Sequence, residues 1–112
     1  MGINNWLRKF KERWENHDIK GVLSLFDSEV IYYESPSLKL NFKEISEEWA
    51  VIKDQRQILL NYKILSQKNN KHNIAWKLKY LDKENKEQNY SGKWLIKLNQ
   101  EGLCDYFFQS CK

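Results

Sequence analysis

The sequence predicts an α+β fold in which three helices near the amino terminus pack on a strongly curved, mixed and mainly antiparallel sheet. Two observations lead to this prediction. Apolar residues recur at helical spacing in three segments of the first half of the chain, and from Gln57 onward they alternate with polar residues. A chain of 112 residues is close to the commonest domain size, so we expect one domain over residues 1–112.

Three amphipathic segments predict the helices. The first covers about residues 4–16, and its apolar stripe consists of Trp6, Leu7, Phe10 and Trp14. Asp18 is suited to cap a second helix, which we expect to end near Phe26. A third helix is expected to begin at Asn41, where Glu44 three residues later completes the pattern of a capping box.

Five segments predict strands. The first covers residues 30–36 and ends at the proline, which has no amide donor for a sheet. The other four are expected to follow one another between residues 57 and 111. Tight turns are predicted at residues 69–71 and 99–102, because asparagine and glycine tolerate left-handed backbone conformations.

Composition and charge argue against several classes of protein. The net charge of +4 comes from lysines spread along the chain rather than from an arginine cluster, so a nucleic-acid partner is not expected. No apolar stretch approaches the roughly 20 residues of a membrane span, and the amino terminus does not resemble a signal peptide. We therefore expect a cytoplasmic protein without a membrane partner. The two cysteines and two histidines lack zinc-site spacing, so neither a metal nor a cofactor is expected.

Aromatic residues make up 14% of the chain and include five tryptophans. Such side chains form either a plain core or the lining of an apolar pocket with a few polar groups. The predicted pocket residues are Phe10, Trp14, Tyr33, Ser35, Trp49, Tyr62, Trp76, Trp94 and Gln109. We expect the ligand to be a small apolar molecule.

The order of these elements resembles the nuclear transport factor 2-like superfamily, and especially its SnoaL-like branch, over essentially the whole chain. The segments that carry the resemblance, besides the aromatic first helix, are Asn16-His17-Asp18, residues 21–36, the helix containing Trp49, and Gly102-Leu103-Cys104. The resemblance implies a cone-like sheet around a pocket. The superfamily includes ketosteroid isomerases, polyketide cyclases, epoxide hydrolases, dehydratases and non-catalytic binding or dimerisation domains, so the fold does not choose among them.

Catalytic residues are not evident from the sequence. The resemblance to the isomerases implies a base directly before the strand-end proline and a tyrosine on the first helix. Ser35 and Phe10 stand at these positions, and neither has the required chemistry. Regular alternation, combined with the resemblance, predicts that Tyr33 and Ser35 face inward and that Glu34 faces outward. An inward Glu34 or an inward Asp105 would favour an enzyme.

Three functions are therefore considered. The first is a SnoaL-like domain that binds a small apolar or aromatic molecule without evident catalytic residues. The second is an isomerase, cyclase or hydrolase acting on such a molecule, and the third is an association module with a filled core. We also expect a homodimer through the outer face of the sheet, because the consecutive aromatics Tyr106, Phe107 and Phe108 place at least one large ring there.

Overall fold

Three α-helices lie in the first half of the chain in the computed structural model, which describes residues 2–111 except for the side chain of Cys111. They are α1 (Ile3–Glu15), α2 (Ile19–Leu23) and α3 (Phe42–Trp49), and α3 continues into a 3₁₀ turn (Ala50–Asp54). Within the described residues, no helix combines the length and the apolar character needed to cross a bilayer.

Two helix starts confirm the caps that the sequence predicts. The backbone N–H of Gly21 donates to Asp18 Oδ1 at 2.9 Å. Asn41 and Glu44 form a reciprocal capping box, in which each side chain accepts the backbone N–H of the other residue at 2.9 Å. These bonds pair amide groups that a helix start otherwise leaves free, so they determine where α2 and α3 begin.

Six strands of the described chain form one mixed sheet. They are β1 (Phe26–Ser35), β2 (Leu38–Leu40), β3 (Arg56–Lys68), β4 (Lys71–Leu81), β5 (Glu87–Leu98) and β6 (Cys104–Cys111). Their order across the sheet is β2-β1-β6-β5-β4-β3. Neighbouring strands are antiparallel except β1 and β6, which pair in parallel. The α+β class with a mixed, mainly antiparallel sheet is therefore confirmed.

The region around the first strand differs from the prediction. Helix α2 ends at Leu23 rather than near Phe26, and Phe26 is already the first residue of β1. The backbone N–H of Cys104 donates to the Leu25 carbonyl at 2.9 Å and aligns β6 beside this start. The segment after Pro36, which we expected to be irregular, contains the short strand β2. These pairings involve distant or very short segments, so local periodicity does not indicate them.

The inner face of β1 is the opposite of the predicted one. Tyr32 is 2% exposed and faces the core, and Glu34 follows on the same side as part of a cavity wall. Tyr33 lies on the outer face, where its ring contacts that of Phe108 on β6 with 5.4 Å between centroids. The prediction that Tyr33 and Ser35 face the interior was wrong.

The true start of β1 explains this orientation. From Phe26 onward, the apolar Phe26 and Val30 occupy even positions and are buried, whereas the acidic Asp27 and Glu29 occupy odd positions. Alternation then carries the even positions inward along the rest of the strand. The predicted strand began only at residue 30, so residues 26–29 did not contribute to the predicted orientation.

The core is an aromatic cluster between α1 and the inner face of the sheet. Phe10 lies at its centre with no exposed surface. Rings whose centroids lie 4.9–6.3 Å from that of Phe10 belong to Trp6, Trp14, Phe26, Trp49, Trp94 and Phe107. Burial of such large side chains is the main favourable contribution to folding in a chain of this size.

Candidate active site

A cavity of about 270 Å³ lies between the inner face of the sheet and the end of α3. Its aromatic lining residues are Trp14, Tyr32, Trp49, Trp76, Tyr80 and Tyr90. Its polar lining residues are Glu34, Glu48, Gln55 and Gln109. Lysine, arginine and histidine are absent from the part of the wall that the described residues form. The volume is at the small end of the range for ligand pockets, and the largely aromatic wall suits a small apolar molecule.

Glu34 is held in this cavity by a short chain of hydrogen bonds. The indole Nε1 of Trp94 donates to Gln109 Oε1 at 3.0 Å, which fixes the orientation of the Gln109 amide. Gln109 Nε2 then donates to the Glu34 backbone carbonyl at 3.2 Å and to Glu34 Oε1 at 3.4 Å. The Tyr32 side chain points from the same face of β1 into this cavity wall. The carboxyl group therefore has a defined position in the cavity wall.

The surroundings of Glu34 change its acidity. Burial raises the pKa of its carboxyl above the ordinary value of 4.5, and the negative charge of Glu48 raises it further, while the hydrogen bonds from Tyr32 and Gln109 oppose the change. Desolvation has this effect because it disfavours the charged form of the carboxyl. A carboxyl of this kind can accept a proton from a bound molecule and return it at accessible pH.

Tyr32 is a neutral hydrogen-bond donor beside this carboxyl. Burial raises the pKa of its hydroxyl well above 10, and the charge of Glu34 adds to the increase. The Trp49 side chain acts in the opposite direction and lowers this pKa. On the opposite wall, Trp14 Nε1 donates to Gln55 Oε1 at 3.1 Å. Most polar groups around the cavity thus have a protein partner.

Two tyrosines lie on the neighbouring strands β4 and β5. The rings of Tyr80 and Tyr90 stack with 6.1 Å between centroids, and Tyr90 remains 46% exposed. Burial raises the pKa of the Tyr80 hydroxyl, and the hydrogen bond with Tyr90 adds to this. These rings form the solvent-facing side of the cavity.

The sequence matches no protein-family model and no curated protein. Its structure is similar to several solved structures. An NTF2-like protein of unknown function from Exiguobacterium sp. 255-15 superposes with a TM-score of 0.78 at 13% identity, covering 96% of this chain and 98% of that one. The Δ5-3-ketosteroid isomerase from Mycobacterium sp. gives a TM-score of 0.78 at 11% identity, covering 96% and 90%. The epoxide hydrolase/cyclase-like enzyme SalBIII of salinomycin pyran ring formation gives 0.79 at 10% identity, covering 97% and 89%.

The chain has the NTF2-like fold. This agrees with the resemblance drawn from the order of helices and strands, and identities of 10–13% establish the fold alone.

Within this NTF2-like fold, the predicted pocket residues separate into three groups. Those that line the cavity are Trp14, Trp49, Trp76 and Gln109. Phe10 and Trp94 are buried in the core beside it. Those outside its wall are Tyr33, Ser35 and Tyr62, and Tyr62 instead packs against the core beside its cross-strand partner Trp76. Ligand binding by the first group stays a prediction.

Several lining residues of the NTF2-like cavity were missed. Tyr80 shares the inner stripe of β4 with Trp76, and Tyr90 pairs with Leu78 in the sheet, so alternation could have indicated both. Glu34 was missed because counting from Pro36 assigned the inward position to Ser35. Asp105 does not line this cavity. Among the side chains of residues 2–110, no group of three or more histidine, cysteine, aspartate or glutamate residues could hold a metal ion.

Proposed function

We propose that the cavity binds a small, largely apolar molecule and that Glu34 transfers a proton within it, as in an isomerase or cyclase. The observation that carries this proposal is the Glu34 carboxyl, which lies in an aromatic cavity with a raised pKa. Groups with such pKa values concentrate at catalytic sites. The similar folds of a ketosteroid isomerase and an epoxide hydrolase/cyclase-like enzyme add support.

The chemistry follows from the groups around the carboxyl. In its ionised form Glu34 would remove a proton from a carbon next to a carbonyl group, and in its protonated form it would return that proton to another carbon of the same molecule. Tyr32 stays neutral beside it and stabilises the ionised carboxyl by a hydrogen bond. The apolar walls keep the bound molecule away from water. The reaction moves a proton and needs no oxidant or reductant.

Binding without catalysis is the second candidate. It is favoured by the existing hydrogen bond to the Glu34 carboxyl, because Gln109 already occupies part of its accepting capacity. A carboxyl with such partners can serve as a fixed polar group that orients a ligand. The two candidates differ in whether a proton leaves the bound molecule.

Hydrogen exchange of indanone in heavy water separates these candidates. Indanone is a small bicyclic aromatic ketone with exchangeable protons next to its carbonyl, and proton NMR measures the loss of their signal. We expect the protein to accelerate this exchange and Glu34→Gln to abolish the acceleration. Glu48→Gln is the matched control, since it removes the other lining carboxylate and should leave most of the acceleration. Binding of indanone with no acceleration by the unmodified protein would favour the second candidate.

A further inference from the structure

Lysines that are spread along the sequence come together on the outer face of the sheet. β3 and β4 each contain three lysine or arginine residues and β5 contains two, whereas Glu87 is the single acidic residue of these three fully described strands. Alternation turns Lys63, Lys77 and Lys93 away from the core, and all three are exposed. This half of the outer face is therefore strongly basic.

The three lysines surround a shallow groove of about 330 Å³. The sheet register places Ala75 between Lys63 and Lys93. Two positions further along β4, Lys77 pairs with Ser91 of β5. Because alanine and serine are small, a recessed floor lies between the long cationic side chains. These five residues form the basic groove.

The lysines of the basic groove have no acidic partner within the described chain. Lys79, just outside the groove, pairs with Glu87 at 3.3 Å. No carboxylate of the described residues forms such a pair with the three groove lysines. Strands two apart in a sheet are separated by roughly 10 Å, which is comparable to the screening length of about 8 Å at physiological ionic strength, so Lys63 and Lys93 repel each other. A negatively charged partner relieves this repulsion.

We propose that the basic groove binds an extended, acidic segment of another protein. In such a segment every second side chain points the same way at a spacing of roughly 7 Å, so alternate acidic residues can meet successive lysines of the groove. This inference goes beyond the proposed function and does not depend on Glu34 or its cavity. The outward aromatics of β6 that predict a homodimer lie beyond β5, so the two surfaces are distinct.

The residue types and the shape of the groove favour a protein over other polyanions. Proteins grip phosphate groups with the forked side chain of arginine and stack nucleic-acid bases on aromatic rings. The basic groove contains no arginine, and its aromatic neighbours Tyr62 and Trp76 pack against the core. A bilayer surface is too broad to enter a recess, whereas a single protein segment is not. An acidic protein segment therefore fits the groove best.

Fluorescence anisotropy tests the proposal with a short labelled peptide in which glutamate alternates with threonine, a residue that favours extended backbone. A peptide with glutamine in place of glutamate is its neutral control. The groove variant neutralises the three groove lysines by Lys63→Gln, Lys77→Gln and Lys93→Gln. The matched protein control removes the same charge from exposed lysines of the helical half by Lys20→Gln, Lys43→Gln and Lys53→Gln. We expect the groove variant to bind the acidic peptide about tenfold more weakly than the unmodified protein and the matched control do.

NMR locates the binding site without any substitution. Titration of the unmodified protein with the acidic peptide should shift the backbone amide signals of Ala75 and Ser91 and leave those of helix α3 in place. Absence of binding, equal binding of the neutral peptide, equal weakening in both variants, or shifts confined to other surfaces would overturn the proposal. Tighter binding of oligothymidylate or of phosphatidylserine vesicles than of the acidic peptide would overturn it in favour of a nucleic acid or a membrane.

Discussion

Glu34 reduces the stability of the folded chain at neutral pH because its carboxyl is partly removed from water. Its pKa in the folded state lies above the unfolded value of 4.5. The folded state therefore binds the proton more tightly than the unfolded state, and stability falls as the pH rises through the raised pKa. The favourable contribution is fully present only below pH 4.5.

We predict that Glu34→Gln raises the free energy of unfolding at about pH 7 and that this gain disappears below pH 4.5. Glutamine keeps the shape of the protonated carboxyl and does not ionise. Urea unfolding at several pH values measures the effect. Glu48→Gln should give a smaller gain, since it relieves the minor cause of the Glu34 shift and leaves burial in place. A gain that is equal at low and neutral pH would contradict this explanation.

Gln109 contributes to the acidity of Glu34. Its side-chain hydrogen bond lowers the pKa of the Glu34 carboxyl, in opposition to burial. We predict that Gln109→Leu raises this pKa further and moves the pH at which indanone exchange is half-maximal to a higher value. Gln55→Leu is the control, because Gln55 accepts from a tryptophan of the same cavity and does not contact Glu34. Equal shifts in both variants would show that general loss of packing, rather than the bond to Glu34, is responsible.

The stability of helix α3 depends on its capping box. Asn41→Ala removes the side chain that accepts the Glu44 amide, and we predict that it lowers the free energy of unfolding by about 1 kcal/mol. Because α3 carries Trp49 into the cavity, indanone affinity should fall as well. Chemical denaturation and fluorescence titration measure the two effects. Glu47→Ala changes an exposed residue of the same helix outside the cap, and an equal loss there would refute the assignment.

Local elements were predictable because their signals are local. The caps at Asp18 and Asn41 came from short sequence patterns, and both are present. The turns at residues 69–71 and 99–102 are present as well, with positive φ angles of 53° at Asn69, 64° at Asn70 and 81° at Gly102. These features need no information from distant parts of the chain.

The start and orientation of β1 could not be found in this way. They depend on pairing with β6, which is distant in the sequence, and on Asp27 and Glu29, which the predicted strand did not include. The error in the start of β1 also affected the prediction of the site. Trp14, Trp49 and Trp76 were expected in the pocket from their stripes, whereas Glu34 entered the cavity only when the true strand was known.

The outer face of the whole sheet carries an apolar patch on three adjacent strands. Its residues are Ile31, Tyr33, Leu95, Tyr106 and Phe108, and the sheet register places them next to one another. Ile31 is 42% exposed. Contiguous apolar surface of this kind marks interaction sites. A second copy of the chain can cover it through a self-complementary two-fold contact.

We predict a homodimer through this apolar patch. Light scattering after size exclusion at micromolar concentration should give twice the chain mass of 13.6 kDa. Phe108→Lys should produce monomers, because it places a charge at the centre of the contact. Leu59→Lys changes an exposed apolar residue of β3, away from the patch, and should leave the dimer intact. A monomer mass for the unmodified protein would refute the prediction.

The central position of β6 also affects how the fold is reached during synthesis. β6 lies between β1 and β5, and its Phe107 ring stacks on that of Tyr32 with 4.8 Å between centroids. A ribosome releases β1 and the helices long before it releases β6. During this time the apolar segments of the emerging chain are exposed, because the strand that joins the two halves of the sheet is missing. Pairing between such distant segments is slow. Apolar surface that stays exposed until they pair favours association with other chains. The nascent chain therefore acquires its native sheet only after β6 has been made.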